Sequence, residues 1–157
     1  MQSSHKLNKY KKKYLNKVYG VSQANPMKES YKYFIIIPAY NENNYIHFTL
    51  KSIAKQKNKY IKELLVIVVI NNSNLSTNTA YNNNLDTYNS LIKNMYNFEI
   101  IVIDCFSKEL ALDEKKAGVG LARKIGMDYC IEFGLQDSIL CSRVEQQFLY
   151  CESIKYN

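Results

Sequence analysis

Seven consecutive apolar residues, Leu64-Leu65-Val66-Ile67-Val68-Val69-Ile70, constrain this chain more than any other feature. A strand with one wet face alternates apolar and polar residues, whereas an unbroken, largely β-branched run must be covered on both faces. Helices on either side of a sheet provide that cover, which makes this segment a central strand of a parallel α/β fold. The rest of the chain keeps the same rhythm. Residues 33–37 read as a buried strand, residues 98–103 as another that ends at Asp104, and Ile139-Leu140-Cys141 as the beginning of a fourth. Helical spacing appears between them. Residues 43–57 carry Ile46, Leu50, Ile53 and Ala54, and the segment after the Asn- and Ser-rich loop at 71–78 carries Ala80, Tyr81, Leu85, Tyr88 and Ile92. A third helix near 115–134 presents Leu121, Ala122, Ile125 and Tyr129. Repetition of this kind implies right-handed crossovers. The expected architecture is an open, mostly parallel Rossmann-like sheet flanked by helices.

A chain of 157 residues, 46% of them apolar, makes one domain with a real core. No stretch approaches the length of apolar sequence that a membrane-spanning helix needs, and the amino terminus has no apolar signal core. The formal charge of +7 is unevenly placed. Residues 1–30 hold seven lysines and one glutamate, which leaves a body with fourteen basic and thirteen acidic residues. That near-neutral body argues against nucleic acid as a partner. The basic leader, including Lys9-Tyr10-Lys11-Lys12-Lys13-Tyr14, suits a flexible or helical extension that touches an anionic membrane surface. Cys105, Cys130, Cys141 and Cys151 form no CxxC pair, and only His5 and His47 add imidazoles, so zinc-ligand spacing is missing. Four structural thiols in a cytoplasmic, membrane-peripheral protein are the expectation. The domain reading is a leader over 1–30, an α/β domain over 31–142 and an atypical tail over 143–157.

Three strand-to-helix junctions concentrate polar chemistry. After the first strand comes Pro38-Ala39-Tyr40-Asn41-Glu42-Asn43, where proline removes a donor as pairing should cease. Asn41 or Asn43 can cap the next helix, with Glu42 near its positive end. In an open α/β sheet, this is also the side where ligands bind. After the second strand, Asn71-Asn72-Ser73 can make a turn and cap, or can read the edge of a base or ribose. The third junction runs Asp113-Glu114-Lys115-Lys116-Ala117-Gly118-Val119-Gly120-Leu121-Ala122-Arg123-Lys124. Arg123 stands where a GxGxxG needs its third glycine, and no GxxxxGK[ST] exists, so neither nucleotide fingerprint is met. Two glycines at a helix start beside Lys116, Arg123 and Lys124 still suit an anion.

In order, these junctions resemble the family 2 glycosyltransferases with the GT-A fold. The matching pieces are Ile37-Pro38-Ala39-Tyr40-Asn41-Glu42, Val69-Ile70-Asn71-Asn72-Ser73, and Gly118-Val119-Gly120-Leu121-Ala122-Arg123-Lys124-Ile125-Gly126-Met127-Asp128. The resemblance runs from about residue 33 to 142, the nucleotide-binding half of such an enzyme. It implies a UDP- or GDP-linked sugar donor and inverting transfer to an acceptor hydroxyl whose identity is left open. Pro38, Ala39, Tyr40 and Glu42 would border the nucleoside, and Asn72 would stand near the base. Gly118, Gly120 and Arg123 would lie near the ribose or diphosphate. A divalent cation, Mn or Mg, held by Asp-x-Asp usually neutralises the departing diphosphate, and a later carboxylate deprotonates the acceptor.

The chain departs from that pattern. Where Asp-x-Asp belongs it reads Leu140-Cys141-Ser142-Arg143-Val144-Glu145, and no Asp-x-Asp occurs anywhere in it. The expectation is a truncated enzyme with a replaced tail, an open strand edge and weak or no turnover. The alternative is a non-catalytic α/β module that binds a nucleotide or a partner.

Overall fold

The apolar run at 64–70 forms the core of a six-stranded mixed sheet. The computed structural model describes residues 9, 20–22, 26–143 and 149–153, so most of the lysine-rich leader and part of the tail lie outside the described residues. The strands are β1 (Gly20–Val21), β2 (Tyr31–Ala39), β3 (Leu64–Asn71), β4 (Glu99–Cys105), β5 (Gly134–Arg143) and β6 (Leu149–Ser153). Their order across the sheet is β1-β4-β3-β2-β5-β6. The inner strands β4, β3, β2 and β5 run parallel, and β1 and β6 join antiparallel at the two edges. The sheet is therefore α/β and Rossmann-like as expected, but with antiparallel margins.

Every residue of β3 is buried, as a strand sandwiched between helix layers must be. Its β-branched side chains suit the pleated surface, and burying each large one contributes about 1.5–3 kcal/mol. The helices are α1 (Ile46–Ala54), α2 (Asn58–Ile61), α3 (Asn78–Lys93) and α4 (Val119–Cys130). One core layer packs Ile46, Leu50 and Ile53 of α1 and Leu91 of α3 against Ile37, Val66, Val68 and Ile70. The opposite layer packs Ala122 and Ile125 of α4 against Ile36, Leu65, Ile67 and Ile103. The sheet is thus doubly wound. After β4 the chain reverses direction across the sheet to reach β5 beside β2, which makes the β2/β5 boundary a topological switch point.

Several boundaries differ from the sequence reading, each for a local reason. Pro38 does not end the first strand: Pro38 pairs with Val69 and Ala39 with Ile70. The ladder to β5 has already stopped at Ile36, so a missing donor on that side costs nothing there. The first helix begins at Ile46, with Tyr45 at its N-cap and no side-chain cap, so neither Asn41 nor Asn43 fills that role. The helix expected near 115–134 is α4, which spans only Val119–Cys130. Asp104 Oδ1 accepts the N–H groups of Phe106 and Ser107 at 2.9 Å each, a tight turn that closes β4 and starts the loop. On α3 the buried line is Ala80, Asn84, Thr87 and Leu91, while Leu85 and Ile92, expected inside, are exposed.

Within the leader, Gly20 pairs with Asp104. Ser22 extends that contact: its N–H donates to the Val102 carbonyl and its Oγ accepts the Val102 N–H, both at 2.9 Å. The outer side of β5, where an open edge was expected, is occupied by β6. Cys105 and Cys130 are buried in the core, as structural thiols should be. No helix among the described residues is long and apolar enough to cross a membrane.

Candidate functional site at the carboxyl rim of the sheet

Three asparagine side chains hold the segment after β2 in place. Asn71, the last residue of β3, donates from Nδ2 to the Ala39 carbonyl at 3.1 Å. Asn84 of α3 donates from Nδ2 to the Asn71 carbonyl at 3.1 Å and accepts the Asn41 N–H through Oδ1 at 2.9 Å. Asn83 accepts the Asn43 N–H at 3.1 Å. Asn71 and Asn84 are only 4% and 1% exposed, so these bonds replace solvent for groups that have no other access to it. Asn41 takes φ = 59°, a left-handed conformation that asparagine tolerates better than most residues. The Glu42 carbonyl then accepts the N–H groups of Tyr45 and Ile46, both at 2.9 Å, and opens α1. Local sequence gives Asn83 and Asn84 no function, because they lie in a run of three asparagines, Asn82-Asn83-Asn84. The available signal was the 80, 84, 87, 91 spacing, which puts Asn84 on an otherwise inward stripe.

The second junction is fixed just as tightly. The Asn72 N–H donates to the Cys105 carbonyl at 3.1 Å, and its own carbonyl accepts the Leu112 N–H at 2.9 Å. Ser73 and Ser76 share a hydroxyl contact at 3.1 Å, and Thr77 caps α3 by accepting the Ala80 N–H. Asn72 is 3% exposed, yet its Oδ1 has no hydrogen-bond partner.

The third junction begins at Gly118, whose φ of 142° favours glycine. Gly118 is the N-cap of α4; it offers no side-chain cap, and the first turn contains no acidic residue. Among the described residues an added Cβ at Gly120 would meet nothing within 4 Å, so neither packing nor backbone conformation demands glycine there. Farther along the helix, Gly126 lies against the sheet: an added Cβ would sit 2.5 Å from Ile36 Cγ2 and 3.2 Å from Val69 Cγ2. Arg123 is three residues before Gly126 on the same helix face, ~4.5 Å toward the strand ends. Pro38, two residues beyond Ile36, continues the alternation on that sheet face. The Arg123 Nε is buried and has no hydrogen-bond partner. Lys124, by contrast, is paired with Asp128 one turn along α4.

The fold therefore brings all the sequence-derived candidates to one rim. Pro38 and Ala39 end β2, with Tyr40 half-exposed and Glu42 partly buried just beyond. Asn72 follows β3, and Gly118, Gly120 and Arg123 begin the helix that follows β4. Residues 34–82 match the family model for glycosyl transferase family 2. That segment is similar to the N-terminal region of family 2 glycosyltransferases. The match takes in β2, α1, α2, β3 and the start of α3, hence both the 38–43 and 71–73 junctions, and stops before Asn83. The match does not extend to Gly118–Asp128. No curated protein and no solved structure matches the chain.

A divalent cation is the group this family implies, and the described residues do not fit one. No three His, Cys, Asp or Glu side chains among them cluster closely enough to hold a metal ion. Two aspartates near the end of β4 serve the backbone: Asp104 as above, and Asp113 by accepting the Lys115 N–H at 3.1 Å. The chain beyond Arg143, where the family's metal motif would fall, lies outside the described residues until Leu149.

Proposed function

We propose that this rim binds a nucleotide-diphosphate sugar, UDP- or GDP-linked, as the donor half of an inverting glycosyltransferase that serves an acceptor hydroxyl. Of the five buried side-chain polar atoms without partners among the described residues, two, Asn72 Oδ1 and Arg123 Nε, belong to this rim and carry the reading. A buried donor or acceptor left unmade costs about 1–3 kcal/mol, so such atoms call for a partner. An imino or hydroxyl group of a nucleoside would satisfy Asn72, and a diphosphate oxygen would satisfy Arg123.

The surroundings support the same division of labour. The uncapped first turn of α4 offers backbone N–H groups and the positive end of a helix dipole to an anion. Gly120 leaves open space in which a phosphate can approach that backbone. Tyr40, half-exposed beside the asparagine-held loop, offers a ring face to a base. In this account Asn72 and Tyr40 orient the nucleoside, and Arg123 with the α4 amides neutralises the diphosphate. Deprotonation of the acceptor needs a carboxylate outside this set.

A second reading, a binding module without turnover, is favoured by the lack of a carboxylate cluster among the described residues. A panel of nucleotide-diphosphate sugars, scored for binding and for release of the nucleoside diphosphate, separates the two. The proposal expects saturable donor binding that is the same with and without Mn²⁺ or Mg²⁺. Donor binding without any release under either condition assigns the module, and no binding of any donor contradicts both.

A further inference from the structure

We propose that the outer surface of α1 and α2 docks on an anionic lipid surface. The segment 43–62 contains five lysines and no acidic residue, and all five lysines are exposed. Its aromatic residues point out with them. Tyr45 is 61% exposed and Phe48 69% exposed, on the side of α1 opposite Ile46, Leu50 and Ile53, which are buried. Tyr45, Phe48, Lys51 or Ser52, and Lys55 follow one another at three- and four-residue spacing and make a continuous outer stripe. On α2, Lys59 stands over the Tyr60 ring at 4.8 Å from its centroid, so cation and aromatic recur together. The neighbouring helix α3 adds one acid, Asp86, and one base, Lys93, and leaves the positive excess intact.

Such a surface has two kinds of group with two demands. Phe48 has no polar atom to keep it in water, while the lysines need water or counter-charge. An interface of acyl boundary and anionic headgroups meets both, with the aromatic rings at headgroup depth and long lysine stems reaching outward. A nucleic-acid partner fits less well. The segment contains no arginine, and its rings stand on a convex helix instead of forming a flat stacking platform. The site is separate from the lysine-rich leader, because it is built from folded helices of the family 2 region. It holds whether or not the rim binds a donor.

The test is co-sedimentation of the full chain with phosphatidylcholine vesicles and with vesicles that also contain phosphatidylserine. Binding is expected only to the second, and it should weaken steeply with added salt. Phe48→Ser is expected to lower the partition coefficient about tenfold, and Lys51→Glu with Lys55→Glu to lower it further, as removal of charges near an anionic surface should. Both changes are on exposed positions, and unchanged thermal unfolding confirms that they report on docking. A variant with Lys11→Gln, Lys12→Gln and Lys13→Gln is expected to retain most binding. Loss in that leader variant with full retention in the α1 variants overturns the proposal. So does binding to single-stranded RNA with none to vesicles, and so does binding to neither.

Discussion

Asn84 Oδ1 accepts the backbone N–H of Asn41 at 2.9 Å, joining a helix on one side of the sheet to the loop that leaves its second strand. The same side chain holds the Asn71 carbonyl through Nδ2, so one buried amide sets the positions of two strand ends. The loop bearing Tyr40 and Glu42 is therefore shaped before any ligand arrives, which lowers the entropic cost of binding one.

Replacing Asn84 with alanine removes both bonds and leaves the Asn71 carbonyl without its partner in a buried setting. The expected cost is about 2–3 kcal/mol, read from the denaturant midpoint with an unchanged slope. Asn41→Gly should be neutral or mildly stabilising, while Asn41→Val, which resists φ near 59°, should cost about 1–2 kcal/mol. Equal stability of the two Asn41 variants would contradict the left-handed turn.

Gly126→Ala places a methyl 2.5 Å from Ile36 Cγ2. The expected destabilisation is about 1–3 kcal/mol. Ile36→Ala removes the offending carbon, so the double variant should be more stable than the sum of the two single costs predicts. Simple additivity would contradict so close an approach of α4 to β2.

Gly120 separates structural from functional need. With nothing near an added Cβ, Gly120→Ala should leave stability unchanged or raise it by up to about 1 kcal/mol, through better helix propensity. Donor affinity should nevertheless fall, because the methyl occupies the space proposed for the diphosphate. A variant that gains stability and keeps full affinity would remove Gly120 from the site.

Alkaline pH should destabilise the fold through Tyr31. Burial, and then its hydrogen bond to Glu99, raise the Tyr31 pKa well above the ordinary tyrosine value. A raised folded-state value means that the native protein holds this proton more tightly than the unfolded chain. Stability is then fully present below the unfolded pKa of about 10 and is lost as pH rises above it. Tyr129, also raised first by burial, adds to the same trend. Tyr31→Phe should flatten the alkaline limb of a stability-versus-pH curve while lowering stability at neutral pH. A limb as steep as that of the parent would assign it to other groups.

The sequence made the central strands plain because burial on both faces leaves no other reading for 64–70, and 33–37 and 98–103 follow from the same rule. It could not place β1 and β6, since edge strands of two and five residues exist only through their partners. The inward side of α3 was misjudged for a chemical reason. Asn84 and Thr87 are polar, but each is satisfied inside, Thr87 by donating to the Asn83 carbonyl at 2.8 Å, so they displaced Leu85 and Ile92 from the sheet side. The late start of α1 has a similar origin, because side chains from α3 hold the Asn41 and Asn43 N–H groups in a turn that local spacing does not encode. The rim residues themselves were readable, since strand ends and helix starts are announced by proline, asparagine and glycine. Their asparagine support was not, because it is made between elements far apart in the chain.

The most direct measurement is a calorimetric titration of UDP- and GDP-linked sugars into the parent protein and into Arg123→Ala. The account predicts saturable binding of at least one donor by the parent, about tenfold or more weaker in the variant, with thermal unfolding little changed. A folded parent that gives no binding heat with any donor, or a variant that binds as tightly as the parent, would contradict it.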